Sequence, residues 1–363
     1  MHLTSIGIRT PCAIEEGHSR KRGSPMESDI KHPSQPRKLA DVLASVDEMV
    51  RSGSAQELIP FPTMFSPLDQ VLAGGLRPGD MILVGGTPGV GKTVTTLQWA
   101  RNLALQGVSV IYVCYEHEES ALLARLLALE LGELPHSEDD LEMEKLRLGI
   151  QEVAAGSGRS LTDVLESEDL IRLAYQHIDS YGDLLWLVKA SGAHTGLQEI
   201  EDMVVERLKD GPVILFVDYL QKVSVRPEPP DEGEKVTRIA EALKDLALRH
   251  KIPVVSIVAA DKEGLKSRRL RLHHLRGSSA LMYEADVAIL LNDKFNCVSK
   301  VHLAYDPVRA ETFHNYTVFT IEKNRGGPNL IDIEFRKDFL YYRYDPVGGI
   351  VQEKLIDERI YTE

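Results

Sequence analysis

The chain has 363 residues, 43% apolar and 27% charged, a composition ordinary for a soluble globular protein of one large or two small domains. Its formal charge of −13 excludes a protein that coats nucleic acid with its whole surface, so any such contact must come from a local basic patch. No apolar stretch approaches a membrane span and the first residues do not form a signal peptide; three distant cysteines (Cys12, Cys114, Cys297) fit neither a disulfide framework nor a zinc site, so the expected compartment is the reducing cytoplasm.

Residues 1–37 are rich in Ser, Pro, Lys, Arg and His without hydrophobic periodicity and read as a disordered tail. Residues 38–53 read as an amphipathic linker helix, with Leu39, Val42, Leu43, Val46, Met49 and Val50 on one stripe that Ser52-Gly53-Ser54 ends. Pro60 and Pro62 set this helix apart from the remainder of the chain, and its stripe needs a surface, either its own domain or a neighbouring subunit.

Residues 57–346 read as one domain, with 347–363 as a C-terminal extension. Met81–Val84 is an apolar strand that runs into Gly86-Thr87-Pro88-Gly89-Val90-Gly91-Lys92-Thr93, a match to the phosphate-binding pattern G-x-x-x-x-G-K-[ST], and Val94–Gln106 reads as the helix after it. A strand, a turn built on Gly86, Gly89 and Gly91, and a helix N-terminus together aim backbone N–H groups at an anion. Lys92 is then expected on the β- and γ-phosphates of ATP, and the Thr93 hydroxyl on Mg²⁺.

Further along, Val108–Tyr115 reads as a strand and 119–131 as a helix, followed by an acidic segment to Glu144 that reads as a solvated face or loop. Residues 169–190 hold a helix and a strand, 196–209 a helix, and Pro212–Val217 a strongly apolar strand. Val236, Ile239, Ala240, Leu243, Leu246 and Ala247 mark a helix, Ile252–Val258 another strand, and 288–291, 318–321 and 331–335 three more. Alternating strands and helices predict an α/β fold, a largely parallel sheet flanked by helices, with the last strands paired as β-hairpins.

Two carboxylates complete a hydrolytic set. Asp218 closes a buried strand, where it can orient the water shell of a metal, so Thr93 and Asp218 are the expected Mg²⁺ positions. Glu116 comes first off the strand after the phosphate loop and can take the proton from an attacking water, with Glu118 and Glu119 as rivals. The basic run lies in Asp261–Arg276 and comprises Lys262, Lys266, Arg268, Arg269, Arg271 and Arg276. It is either a solvated face or a track for a phosphate backbone; with no aromatic residue in it, base stacking is not expected.

Taken together, Phe65-Ser66-Pro67-Leu68-Asp69, Ala73–Asp80, Asp218-Tyr219-Leu220-Gln221, Leu275–Ser279 with Glu284-Ala285-Asp286, and Lys323-Asn324-Arg325-Gly326-Gly327-Pro328 resemble the RecA-like motor domain of DnaB-type replicative helicases, over roughly Leu39–Tyr344. The resemblance implies that Gln221 belongs to the cofactor site and that Lys323 and Arg325 act on the triphosphate held by the adjacent subunit. It further implies a ring, a hexamer, with the linker helix on the neighbouring motor domain and the basic run facing single-stranded DNA in the channel.

Two departures stand out. Ala259 occupies the position of a glutamine that senses the γ-phosphate in the family, and Gly85–Gly89 with Tyr115–Glu119 are also similar to the RadA and KaiC branches. Three functions are open: an ATP-dependent DNA helicase or single-strand translocase, a regulatory ATPase ring acting on protein partners, or a nucleotide-binding interaction protein without turnover.

Overall fold

The computed structural model describes residues 36–53, 55–135, 140–299, 301–302 and 306–356. The expected disordered tail falls almost wholly outside them. The chain divides into two compact units, Met1–Gly53 and Ser54–Glu363. In the first, α1 (Leu39–Arg51) forms over the predicted stripe, with Leu39, Leu43 and Val50 exposed.

The second unit carries the short helix α2 (Leu68–Val71) ahead of its first strand and is built on one sheet. Its strands are β1 (Met81–Gly86), β2 (Ser109–Cys114), β3 (Leu185–Lys189), β4 (Val213–Asp218), β5 (Val254–Ala259), β6 (Val287–Asp293), β7 (Tyr316–Asn324), β8 (Ile331–Asp338), β9 (Arg343–Tyr344) and β10 (Gly349–Ile350). Their spatial order is β10-β8-β7-β6-β1-β5-β4-β2-β3, with β9 paired to β8. From β6 to β3 every pairing is parallel, and β7, β8 and β10 add on antiparallel.

Every residue of β1, β2 and β4 is buried, which is why these segments read as continuous apolar runs rather than alternating ones: helices cover both faces of a parallel sheet. On one face α3 (Lys92–Leu105), α4 (Glu119–Glu133) and α7 (Asp169–Tyr181) place Leu97, Trp99, Leu126 and Tyr181 against Tyr112 and Phe216. On the other, α8 (Leu197–Arg207), α9 (Glu232–His250) and α10 (Ser278–Glu284) place Ile200, Leu243 and Leu281 against Leu83, Ile111 and Leu215. A fork of hydrogen bonds from Arg101 to the fully buried carboxylate of Glu130, at 2.7 and 2.6 Å, ties α3 to α4, and Tyr181 Oη on α7 donates to the same carboxylate at 2.9 Å.

The acidic segment differs from its expected form. Glu142 and Glu144 lie in the first turn of α5 (Leu141–Ala154), where negative charge suits the positive end of the helix dipole. Glu138 and Asp139 are outside the described residues. With α6 (Leu161–Leu165), α5 packs Met143, Leu146 and Leu165 against Leu127, Leu131 and Ile171. The C-terminal segment is also more than an extension. β10 pairs with β8, Leu355 bridges to Val298, and Glu353 accepts from the buried Lys294 at 2.9 Å. No helix among the described residues is long and apolar enough to cross a membrane.

Candidate nucleotide site

The site forms where open parallel sheets place ligands, outside the carboxyl ends of the strands. β1 ends at Gly86 opposite Ala259 of β5, and Cys114 at the end of β2 stands opposite Asp218 of β4. The loop that leaves β1 turns into α3 through Gly91, whose φ of +103° is the left-handed region and whose Cβ, if it had one, would lie 2.2 Å from Tyr344 Oη. Only glycine fits there.

Lys92 and Thr93 open α3. The Lys92 ammonium donates to the carbonyl oxygens of Gly86 and Thr87, both at 2.9 Å. Burial holds its pKa below the ordinary lysine value, opposed by the charges of Asp218 and Glu116. Thr93 Oγ1 donates to Asp218 Oδ2 at 2.8 Å, and Tyr112 Oη donates to the same oxygen at 3.3 Å. The other oxygen, Asp218 Oδ1, is buried and has no hydrogen-bond partner. Burial pushes the Asp218 carboxyl up to about 6, and the nearby Glu116 charge adds to the rise against hydrogen bonds from Thr93 and Tyr112.

A cavity of about 480 Å³ opens onto this group, lined by Gly86, Gly89, Lys92, Thr93 and Glu116 among others. The rivals of Glu116 are engaged elsewhere: Glu118 pairs with Lys189, and Glu119 accepts from the Lys189 backbone N–H at 2.9 Å, both at the end of β3. Three further lining residues went unread in the sequence. Arg125 of α4 lies over the Tyr342 ring, 5.3 Å from its centroid, with Phe339 beside them. More than two hundred residues separate Arg125 from the two aromatics, and no local pattern marks them as partners.

The predicted residues do not all converge. Gln221 is absent from the cavity lining; its amide donates to the Arg276 carbonyl at 3.2 Å and accepts from the Ala259 N–H at 3.3 Å, bridging the ends of β4 and β5. Lys323 and Arg325 are likewise not among the lining residues of their own chain's cavity. Lys323 Nζ donates to the carbonyls of Met282 and Tyr283 at the end of α10, at 2.6 and 3.3 Å. Arg325 donates to Asp286 Oδ1 at 3.0 Å and to the Tyr283 carbonyl at 2.6 Å. Asp286 in turn accepts from the buried Lys244 at 2.6 Å and from the Met81 N–H at 2.8 Å, so the turn after β7 is fastened to the start of β1.

The basic run divides in two. Lys262, Lys266 and Arg268 are exposed, and Arg276 pairs with Glu232 at 2.5 Å. Arg269 and Arg271, expected on the same surface, are only 6% and 8% exposed. Arg269 pairs with Asp332 and Arg271 with Glu322, each at 2.7 Å, so neither presents its charge to solvent.

The profile of the family described as "DnaB-like helicase C terminal domain" matches residues 61–344. A replicative DNA helicase DnaB of Treponema pallidum is 25% identical over 309 residues, 83% of this chain and 59% of that protein. A DNA repair protein RadA of Synechocystis is 30% identical over 165 residues, covering 43% of this chain and 32% of that one. The chain therefore spans little more than half the length of the DnaB relative. Among solved structures, one described as "The Structure Of A DnaB-Like Replicative Helicase And Its Interactions With Primase" superposes with a TM-score of 0.63 at 18% identity, covering 85% of this chain and 67% of its own. That likeness shows the fold.

Proposed function

The chain belongs to the DnaB-like helicase C-terminal domain family, and from that premise we propose that it is an ATPase working at the subunit interfaces of a ring, a hexamer, to translocate along single-stranded DNA or unwind the duplex. The observation that carries the nucleotide reading is Asp218 Oδ1, a buried carboxylate oxygen without a partner beside a threonine hydroxyl at the mouth of the phosphate loop. Natural proteins rarely leave such an atom unsatisfied unless something binds there. Thr93 and Asp218 fit a Mg²⁺ ion and its water shell, and Lys92 fits the phosphates.

When bound, Mg²⁺ and ATP supply the reactive phosphoryl group and the neutralisation of its charge. The rest falls to this chain. Lys92 exchanges two neutral carbonyls for phosphate oxygens. Glu116, at the cavity wall, takes a proton from the attacking water. Arg125, lying over the Tyr342 ring at the cavity wall, offers with it a cation and an aromatic face that suit the adenine base. Lys323 and Arg325 serve the neighbour's site, where an arginine of this kind is worth on the order of 10³–10⁵ in rate. Lys262, Lys266 and Arg268 are the surface that meets a phosphate backbone.

The testing experiment is ATP hydrolysis at low salt with and without single-stranded DNA. Severalfold stimulation is expected, and it should disappear in Lys262→Ala/Lys266→Ala/Arg268→Ala while basal turnover stays. Ala259 favours a second reading, a regulatory ring acting on protein partners, because a methyl group at that position cannot hydrogen-bond a γ-phosphate. Brisk hydrolysis indifferent to DNA would select it.

A further inference from the structure

The two arginines that leave the basic surface have a common destination. Arg269 reaches Asp332 on β8 at 2.7 Å, and Thr320 on β7 donates to the same carboxylate oxygen at 2.6 Å. Arg271 reaches Glu322 on β7 at 2.7 Å. Between them Leu270 is held at both backbone atoms by the Asn292 side chain, which accepts from its N–H at 2.6 Å and donates to its carbonyl at 3.2 Å. The second half of the loop is thus riveted to the antiparallel strands, while the first half carries the exposed Lys262, Lys266 and Arg268 and brings Leu265 to the wall of the nucleotide cavity.

One of these rivets, Arg271 on Glu322, falls on β7, the strand that ends in the residues lent to the neighbour. Glu322 is directly followed by Lys323, and Arg325 comes just after β7 ends at Asn324. β7 is paired to both β6 and β8 as far as Ile321; Glu322 then interrupts the register with β6, and Lys323 and Asn324 pair with β6 alone, so the Arg271–Glu322 ion pair fastens β7 at the point from which Lys323 and Arg325 leave. We propose that Arg269 and Arg271 are positioning residues that make the nucleic-acid loop and the trans-acting Lys323 and Arg325 one rigid body, so that DNA gripped by a subunit's loop sets the finger in the next subunit's site. This rests on the ring translocase reading above. Neither arginine touches nucleotide or DNA in this scheme.

The test is the double variant Arg271→Gln/Glu322→Gln, which removes both buried charges at once and so leaves neither uncompensated. Melting temperature, basal hydrolysis, affinity for a fluorescent single-stranded oligonucleotide and DNA-stimulated hydrolysis are read on the full chain. Expected are basal rate and DNA affinity within about twofold of wild type and a DNA-stimulated increment reduced about tenfold, the size of an ordinary coupling between sites. Stimulation retained in the folded double variant overturns the proposal. Loss of DNA affinity together with stimulation also overturns it, since Arg271 would then be a contact. Should the double variant melt early, Arg269→Lys, which keeps the charge but breaks the guanidinium geometry, is read the same way. A wild-type protein that binds no DNA and ignores it in hydrolysis sinks the functional reading itself, a result distinct from either of the others.

Discussion

Asp218 shows how a single residue is tuned against its own stability. Its carboxylate is held in a buried strand end at a pKa of about 6, against an ordinary 3.8, so at pH 7 the folded state carries an ionised group it disfavours. Linkage gives the sign: the cost is full above about 6 and is relieved as pH falls from there toward 3.8. Asp218→Asn, assayed without nucleotide or Mg²⁺, should therefore be more stable than wild type at pH 7, by on the order of 1–3 kcal/mol. The gain should shrink through the range from pH about 6 down to about 4 in parallel denaturation curves, while the variant loses Mg²⁺-dependent hydrolysis; an unchanged pH profile would remove the burial argument. Gly91→Ala meets both a forbidden φ and the Tyr344 hydroxyl, and nucleotide binding measured by fluorescence titration should be lost. The turn Gly86–Thr93 and its place between β1 and α3, with Asp218 and Glu116 beside it, were legible in the sequence because strand, turn and helix follow one another locally. Arg125 and Tyr342 were not, because their pairing exists only after α4 and the turn beyond β8 have met.

At the scale of elements, one buried ion pair, Arg101 with Glu130, ties α3 to α4 within the helical layer. Arg101→Met would leave the Glu130 carboxylate in the core between α3, α4 and α7 without its guanidinium, with Tyr181 Oη and His177 beside it, at a cost of about 3–5 kcal/mol. Chemical denaturation should show that loss, and Arg101→Met/Glu130→Leu should recover much of it by removing the charge left behind. The loop Asp261–Arg276 teaches the opposite lesson about charge. Its six basic residues look like one surface in the sequence, yet Arg269 and Arg271 face acidic partners on β7 and β8. Composition cannot register this, since Glu322 and Asp332 lie far along the chain from the loop. The acidic stretch near Glu144 likewise concealed the start of α5, because a helix whose first turn is acidic and whose apolar face is narrow resembles a solvated loop.

The whole molecule is the scale at which Lys323 and Arg325 acquire meaning. In their own chain they are fastened to α10 and Asp286 and take no part in the cavity lined by Lys92. A site shared between subunits predicts that Arg325→Ala and Lys92→Ala, each inactive alone, regain hydrolysis when mixed, since some interfaces then pair an intact phosphate loop with an intact finger; no recovery at any ratio argues for a site completed within one chain. The unit 54–363, without α1, should keep nucleotide binding but elute as a smaller particle than the full chain in size-exclusion chromatography with light scattering.

What the sequence determined by itself was the α/β class, the phosphate loop and the acids at the strand ends, because these depend on hydrophobic periodicity and on groups adjacent along the chain. The tertiary structure alone decided which basic residues remain exposed, where Gln221 spends its amide, and which strands hold the second half of the loop Asp261–Arg276. Those outcomes turn on charges far apart in sequence competing for burial, and a buried charge takes whatever partner the fold brings within reach.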